Sequence, residues 1–278
     1  MGGAGSYIAF KNIGINMAIR PESYLVQLID ILRRNAKISR RETCQIGAML
    51  GLVFSVFMPF QLGQALAMGQ KPLKKGDKAM NLPRPVHDGQ MSLEQAIKQR
   101  RTVRSFRNKH ISGDQLSQLL WAAQGITEDR GFKRAAPSGG ALYPADVYAV
   151  VGDRGVEGFT AGVYHYGPRD HSVRKIADGD KRRDVAIASL HQMWMAEAPV
   201  QLVLTAEYRR ISIKYGDRGV RYALIEIGHI GQNIFLQCQG LGLAAGIVGA
   251  FDDNEVARAI MAEKNHQPLL ILPVGCQS

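Results

Sequence analysis

The chain has little cysteine, and this argues against disulfide-framed proteins and cysteine-ligated metal sites. The three cysteines, Cys44, Cys238 and Cys276, are too few for a disulfide framework and lack metal-ligand spacing. No long lysine and arginine tract is present, and basic residues are not interleaved with aromatic residues, which form only 7% of the chain. We therefore predict no metal site and no nucleic-acid partner.

The chain also lacks the Gly-x-Gly-x-x-Gly fingerprint of a dinucleotide-binding fold. What it has is a normal core-forming composition, with 46% hydrophobic and 21% charged residues among 278. The net charge is +11, spread along the chain. A basic surface of this kind attracts an anionic ligand or cofactor.

The first 67 residues have the features of an export signal. Residues 46–60 are almost wholly apolar and uncharged, Arg40 and Arg41 precede them, and the small-x-small sequence 65–67 follows. A basic region, an apolar region and such a cleavage site predict export. The arginine pair resembles a twin-arginine signal, so we predict residues 1–67 as the signal and a periplasmic or exported protein.

Two alternatives to export stay open. The match is partial, because Thr43 and Cys44 stand where apolar residues are expected, and Met17 is an alternative start. The segment 46–60 also fits a retained membrane anchor, although it is short for a span, or a core helix of a cytoplasmic protein. Its apolar character also predicts a transient membrane contact through residues 46–60.

A linker and two capped helices are predicted next. Residues 68–90 are rich in proline, glycine and lysine, which break regular structure, so the folded domain is predicted at 91–278. Ser92 with Gln95 predicts a capping box that opens a helix. A second helix is predicted from Ser112, and Gly125 marks its end.

The first chemical motif is the stretch Arg100–Phe106. If the chain is extended here, Arg100, Thr102 and Arg104 project to one side. Two guanidinium groups and a hydroxyl form a suitable clamp for phosphate. The alternative is a helix end that carries cations because the helix dipole favours them there.

Two further motifs are rich in small residues. The small-residue loop, Pro137–Gly140, precedes a predicted strand at 146–151, and its glycine content lets backbone approach a flat ligand. A second glycine-rich stretch, 241–252, is predicted as a helix end, a short strand and a loop.

The fourth motif carries groups that can move protons. Lys214 and Tyr215 precede a helix predicted at 221–239, together with Arg218 and Arg221. Lysine and tyrosine act in proton transfer when their surroundings lower their pKa values. The alternative is a surface lysine beside a packed tyrosine. Strands and helices alternate only loosely along the chain, which favours an α+β fold with a mixed or antiparallel sheet flanked by helices.

These motifs, in this order, resemble the nitroreductase family of flavoproteins, and most of all its SagB-type dehydrogenase branch. The resemblance covers residues 90–278. It implies an α+β sandwich and a homodimer with FMN bound where the two subunits meet. It also implies that Arg100, Arg101, Thr102 and Arg104 contact the FMN phosphate and ribityl chain.

The same resemblance assigns the other motifs. Pro137, Ser138 and Gly139 would pack on the isoalloxazine, and Gly249 and Ala250 would present backbone donors near flavin N5.

The Lys-Tyr pair matches one that the branch uses to abstract a proton, so Lys214 and Tyr215 are the predicted catalytic residues. The chain lacks the basic pair that typical family members carry after the last strand. Either Arg218 and Arg221 supply that charge, or FMN binds more weakly.

The resemblance therefore predicts an FMN-dependent oxidoreductase that moves a hydride between flavin and a small-molecule or peptide substrate. One alternative is an NAD(P)H-dependent nitro- or quinone-reductase. The other is a non-enzymatic flavin-binding protein.

Overall fold

A computed structural model of the chain describes residues 79–128 and 133–278. The predicted signal, its cleavage, the start at Met17 and the membrane contact of residues 46–60 fall outside these ranges. Within them, no helix combines the length and the apolar character needed to cross a bilayer.

Six α-helices and seven strands make up the described part of the chain. The helices are α1 (Leu93–Gln99), α2 (Gly113–Gln124), α3 (Arg182–Ala188), α4 (Arg209–Tyr215), α5 (Arg218–Gly240) and α6 (Asp253–Ala259). The strands are β1 (Met80–Asn81), β2 (Ala145–Val151), β3 (Gly162–Gly167), β4 (Ser172–Asp178), β5 (Val200–Ala206), β6 (Ala244–Ala245) and β7 (Gln267–Gly275). Two short 3₁₀ helices span Gly139–Ala141 and Met193–Glu197.

The strands form one sheet in the order β1-β4-β3-β2-β5-β7-β6, and neighbouring strands are antiparallel. This confirms the predicted α+β class. Of the two predicted sheet types, mixed and antiparallel, the structure has the antiparallel one. The central strands β2 and β5 are buried along their whole length. This explains why their sequences are nearly continuous runs of apolar residues.

Helices cover both faces of the sheet. Along β2, Val147 and Ala149 point into the core shared with α2 and α5, whereas Tyr148 and Val150 point into the core shared with α3 and α6. This alternation follows from the two-residue period of a strand. The helix α5 lies along one face, and its buried residues meet those of α2.

The helix starts are set by local side-chain contacts, as predicted. The Ser92 hydroxyl accepts a hydrogen bond from the Gln95 backbone N–H at 3.2 Å and opens α1. This is half of the predicted capping box, because the described residues show no return bond from the Gln95 side chain. Ser112 and Gln115 form a complete capping box at the start of α2. Gly125 follows the last residue of α2, so both predicted helices are confirmed.

Part of the predicted linker 68–90 packs on the domain instead. Strand β1 pairs with β4, and Leu82 is buried against the core. Val86 exchanges two hydrogen bonds with Gln118 of α2, at 2.8 and 2.9 Å. The folded domain therefore includes residues that the sequence analysis left in the linker, because their contacts are made with distant segments.

Candidate active site

The Lys-Tyr pair lies at the end of α4, in a helix of its own. Lys214 and Tyr215 occupy its last turn, and Gly216 ends it with φ 57° and ψ −139°. The long helix α5 begins at once, so Arg218 and Arg221 lie in its first turn. The sequence pattern predicted this helix only from residue 221 and gave no sign of α4, because Gly216, with its positive φ, separates two short apolar patterns.

The small-residue loop contacts this pair directly. Gly140 has φ 63°, a left-handed conformation that favours glycine. A Cβ atom built on Gly140 would lie 2.7 Å from the Tyr215 hydroxyl and 3.2 Å from Lys214 Nζ. The pair can therefore lie this close to the loop backbone only because Gly140 has no side chain.

Neighbouring contacts hold the Tyr215 ring in this position. The ring packs edge-on against Tyr222 of α5 with 5.0 Å between ring centres. A Cβ on Gly139 would lie 3.2 Å from Ile211 and 3.4 Å from Tyr222, so this glycine is also closely packed. Lys214 is exposed. Its predicted role as a base requires burial, which the described residues of a single chain do not provide.

The arginine stretch lies beside the second glycine-rich stretch. Val103 is buried, and its N–H donates to the carbonyl of Ala245 at 3.0 Å. Thr102 forms a parallel bridge with Ala245. Thr102 and Arg104 are both exposed on either side of buried Val103, which fits the predicted projection to one side.

The two adjacent arginines have different surroundings. Arg101 donates to the carbonyls of Lys98 and Arg100, each at 2.8 Å, and so closes the end of α1. The Arg100 guanidinium lies over the Phe235 ring, 5.2 Å from its centre. Within residues 79–128 and 133–278, neither Arg100 nor Arg104 has an acidic partner, so both remain open to an anion.

The second glycine-rich stretch contains one closely packed glycine, Gly246, and the two predicted backbone donors, Gly249 and Ala250. Gly246 is tightly packed, since a Cβ there would lie 2.7 Å from Trp194 and 2.8 Å from the Val103 carbonyl. Gly249 and Ala250 are exposed, and a Cβ on Gly249 would meet open space. Among the described residues, no acceptor is found for either N–H. Both are available to a ligand.

One chain does not bring all predicted residues together. Gly139 packs on Tyr222 near the start of α5, whereas Arg100 packs on Phe235 near its end. At about 1.5 Å per residue, these two contact points lie roughly 20 Å apart along the helix. The loop and Lys-Tyr pair form one group, and the arginine stretch and residues 246–250 form another.

A buried carboxyl under the small-residue loop was missed by the sequence analysis. Glu226 of α5 is 1% exposed, and its Oε1 accepts from Gln124 Nε2 at 3.0 Å. The Gln124 side-chain oxygen, Oε1, accepts from the Arg134 guanidinium at 3.1 Å. Burial raises the pKa of Glu226 to about 7 against the opposing effects of Ser138, Gln124 and Arg134. Its spacing with buried Ala223 and Ile230 on α5 was the signal that could have found it.

A second buried polar cluster lies beside the first, and it too was missed. Arg210, one turn before Lys214, donates to Asp146 at 2.6 Å and to His266 Nε2 at 3.2 Å. Burial disfavours ionised Asp146, yet His165 and Arg210 hold its pKa below the usual value. Asp146, His165 and His266 have metal-ligand geometry. In this structure, Asp146 and His266 contact a cation of the chain itself, the Arg210 guanidinium.

Comparisons with known proteins identify relatives over most of this domain. The profile of the nitroreductase family matches residues 97–276. A Methanocaldococcus jannaschii protein named as a nitroreductase is 44% identical over 186 residues, which are 67% of this chain and 91% of that protein. The Microcin B17-processing protein McbC of Escherichia coli is 27% identical over 56% of this chain and 59% of its own length.

A solved structure shows the same fold. It is a crystal structure from Ralstonia eutropha, also described as a nitroreductase, with a TM-score of 0.62 and 24% identity. The match covers 76% of this chain and 96% of that one. The resemblance inferred from the motifs is therefore confirmed at the level of family and fold.

Proposed function

We propose, since the chain belongs to the nitroreductase family of oxidoreductases, that it is an FMN-dependent dehydrogenase of the SagB type. The reaction would move a hydride between a small-molecule or peptide substrate and the flavin. The observation that carries this proposal is the contact of Lys214 and Tyr215 with the backbone of Gly140. It brings two proton-transfer groups to the loop that we propose packs on the flavin.

The donor set of the chain fits FMN. Arg100 and Arg104 carry open guanidinium groups beside the Thr102 hydroxyl, which suit a phosphate. The free N–H groups of Gly249 and Ala250 suit a flavin ring nitrogen. When bound, FMN supplies a hydride acceptor. Family members usually bind flavin; the choice of FMN is our proposal.

Within this reaction, Lys214 and Tyr215 would handle the proton. A proton must leave the substrate carbon next to the one that gives up the hydride, and an amine or a phenolate can accept it. Tyr215 is held by its packing on Tyr222, which fixes the hydroxyl at the loop. Arg218 and Arg221, in the first turn of α5, are proposed to add positive charge near the same site.

A homodimer would complete the site. The two groups of predicted residues lie at opposite ends of α5, so a second copy could bring the arginine stretch of one subunit to the loop of the other. Exposed apolar side chains along α1, α4 and α5 support burial of this surface; they are Leu93, Ile97, Ile213, Val220, Leu224 and Ile225. If so, dilution should release flavin and dissociate the dimer together.

The relative McbC is named a Microcin B17-processing protein, and this supports a peptide substrate with protein partners. The chain spans 59% of that protein, so the whole activity of the relative is not transferred. A small-molecule substrate is the alternative within the same chemistry.

The first test is an absorbance spectrum of the purified chain after FMN is added and excess is removed. Bands of bound oxidised flavin, with released ligand identified as FMN, would support the proposal. A folded but colourless protein would refute it.

Replacement of the proton-transfer groups tests the site itself. Lys214→Met and Tyr215→Phe should each keep bound flavin and lose turnover. Arg209→Met is the matched control, because Arg209 is an exposed cation on the same helix. Turnover lost equally in the control would count against a specific role for the pair.

A nitro- or quinone-reductase that takes electrons from NAD(P)H is the second candidate, favoured by the 44% identical relative named as a nitroreductase. Anaerobic addition of NADH or NADPH discriminates the two. Rapid bleaching of the flavin bands favours the reductase, whereas bleaching only by a peptide or small-molecule donor favours the dehydrogenase.

We also propose export through the twin-arginine route, which carries folded proteins and so suits a domain that first binds a cofactor. The support is the leader sequence of residues 1–67. Replacement of Arg40 and Arg41 by lysine should retain the protein in the cytoplasm, as fractionation would show. Unchanged fractionation would argue for an anchor or a cytoplasmic protein.

A further inference from the structure

The Glu226 carboxyl lies where four segments meet. They are α2, the chain just before the small-residue loop, the loop itself and the start of β2. Its Oε1 accepts from Gln124 of α2, and Gln124 in turn accepts from Arg134, which lies just before the loop. Ser138 of the loop and the backbone of Ala145 at the start of β2 also act on the carboxyl and favour its ionised form.

The second carboxyl oxygen is free for a proton. Glu226 Oε2 is fully buried and has no hydrogen-bond partner among the described residues. A buried carboxyl with a free oxygen costs stability when it is ionised. The charged and titratable groups that face it are Arg134 and Tyr143. Burial raises the pKa of Glu226 to about 7, so both charge states are accessible near neutral pH.

Ser138 connects this carboxyl to the loop. Its Oγ accepts a hydrogen bond from the Tyr143 backbone N–H at 2.9 Å, which closes the turn after the loop. A hydroxyl has one proton to donate and a second lone pair to accept with. The direction in which Ser138 donates therefore depends on whether Glu226 carries a proton.

We infer that Glu226 is a positioning residue, which sets the Ser138 hydroxyl and the small-residue loop for flavin and makes flavin affinity depend on pH. This inference rests on the proposed function. Ionised Glu226 draws the Ser138 O–H toward itself. Protonated Glu226 no longer attracts the Ser138 O–H, which leaves that hydroxyl proton for the ligand side of the loop.

The test is the dissociation constant for FMN at a series of pH values. For the wild-type chain we expect FMN binding to weaken about five-fold between about pH 6 and about pH 8, the equivalent of one neutral hydrogen bond. In Glu226→Gln the side chain is uncharged at every pH and cannot attract the Ser138 O–H as a carboxylate does. This variant should keep the tight low-pH affinity throughout.

Ser138→Ala serves as the second variant, and it decides the question if Glu226→Gln does not fold. It removes the connecting hydroxyl, so FMN binding should be weak and independent of Glu226 ionisation. A parallel pH profile in wild type and Glu226→Gln, or an unchanged profile in Ser138→Ala, would overturn the inference.

A readout without ligand separates this inference from the proposed function. Hydrogen exchange of the Tyr143 amide in the flavin-free chain reports its bond to Ser138. After correction for intrinsic exchange, its protection should change across neutral pH in wild type and stay constant in Glu226→Gln. If FMN does not bind at all, the proposed function fails. Equal protection in both proteins would then refute the positioning role as well.

Discussion

Gly140→Ala tests whether the small-residue loop and the Lys-Tyr pair form one site. At φ 63° an alanine costs about 1–2 kcal/mol more than glycine because its Cβ approaches the following carbonyl. The new Cβ would also lie 2.7 Å from the Tyr215 hydroxyl and 3.2 Å from Lys214 Nζ. The lysine amine can swing away, but the Tyr215 ring is packed on Tyr222 and moves only with the backbone around it. We therefore expect lower stability and a displaced pair.

Gly158→Ala is the matched control for the free-energy cost of placing an alanine at a positive φ. Gly158 has φ 80°, and a Cβ there would meet no atom within 4 Å. For a domain of about 200 residues, 1 kcal/mol lowers the melting temperature by roughly 2–4 °C. Thermal unfolding should therefore show a similar or somewhat larger loss for Gly140→Ala than for the control.

The turnover of the flavin-loaded enzyme should separate the two variants. Only Gly140→Ala disturbs the proton-transfer groups, so its turnover should fall well below that of the control at saturating FMN. Equal turnover in Gly140→Ala and Gly158→Ala would refute the contact as part of the active site.

Three other changes have expected outcomes. Arg100→Glu should abolish flavin retention, measured by absorbance after desalting, whereas Arg183→Glu, an exposed arginine on α3, should not; equal retention would contradict the phosphate clamp. Glu226 binds its proton more tightly in the folded chain than in the unfolded chain. The unfolding free energy should therefore decrease as the pH is raised from about 4.5 to about 7, by up to about 3 kcal/mol. Urea titrations of Glu226→Gln should lack this fall. Ser112→Ala should lower stability by about 1 kcal/mol through loss of the capping box, and an unchanged urea midpoint would contradict that role.

The features predicted from the sequence depend on residues that are close together in the chain. The capping box of α2 joins Ser112 to Gln115 across three positions, and both side chains are visible in the sequence. The strands β2 and β5 were found because their residues are mostly apolar, with β-branched and aromatic side chains that favour strands. Such signals depend on local backbone geometry and need no knowledge of the rest of the fold.

The features that were missed depend on distant residues. The bond between Gln124 and Glu226 crosses 102 positions, and that between Tyr148 and His266 crosses 118. Strand β4 was missed because only its first two residues are buried, so its polar side chains conceal the pattern of a strand. The contact of Gly140 with Tyr215 could not be read from spacing either, since it requires the fold to bring α4 against the loop.

The missed residues are the ones that fix the predicted site. A loop of small residues has few side chains of its own to pack, so its position must be imposed from outside. Arg134 lies over the Tyr143 ring at 4.2 Å, while Arg210 donates to the Tyr143 carbonyl at 3.4 Å. Glu226 acts on Ser138 from the other side. Burying these charges costs stability, and each is offset by its partners. These buried charges do not improve apolar packing. We infer that they hold the loop in position for the ligand that it binds.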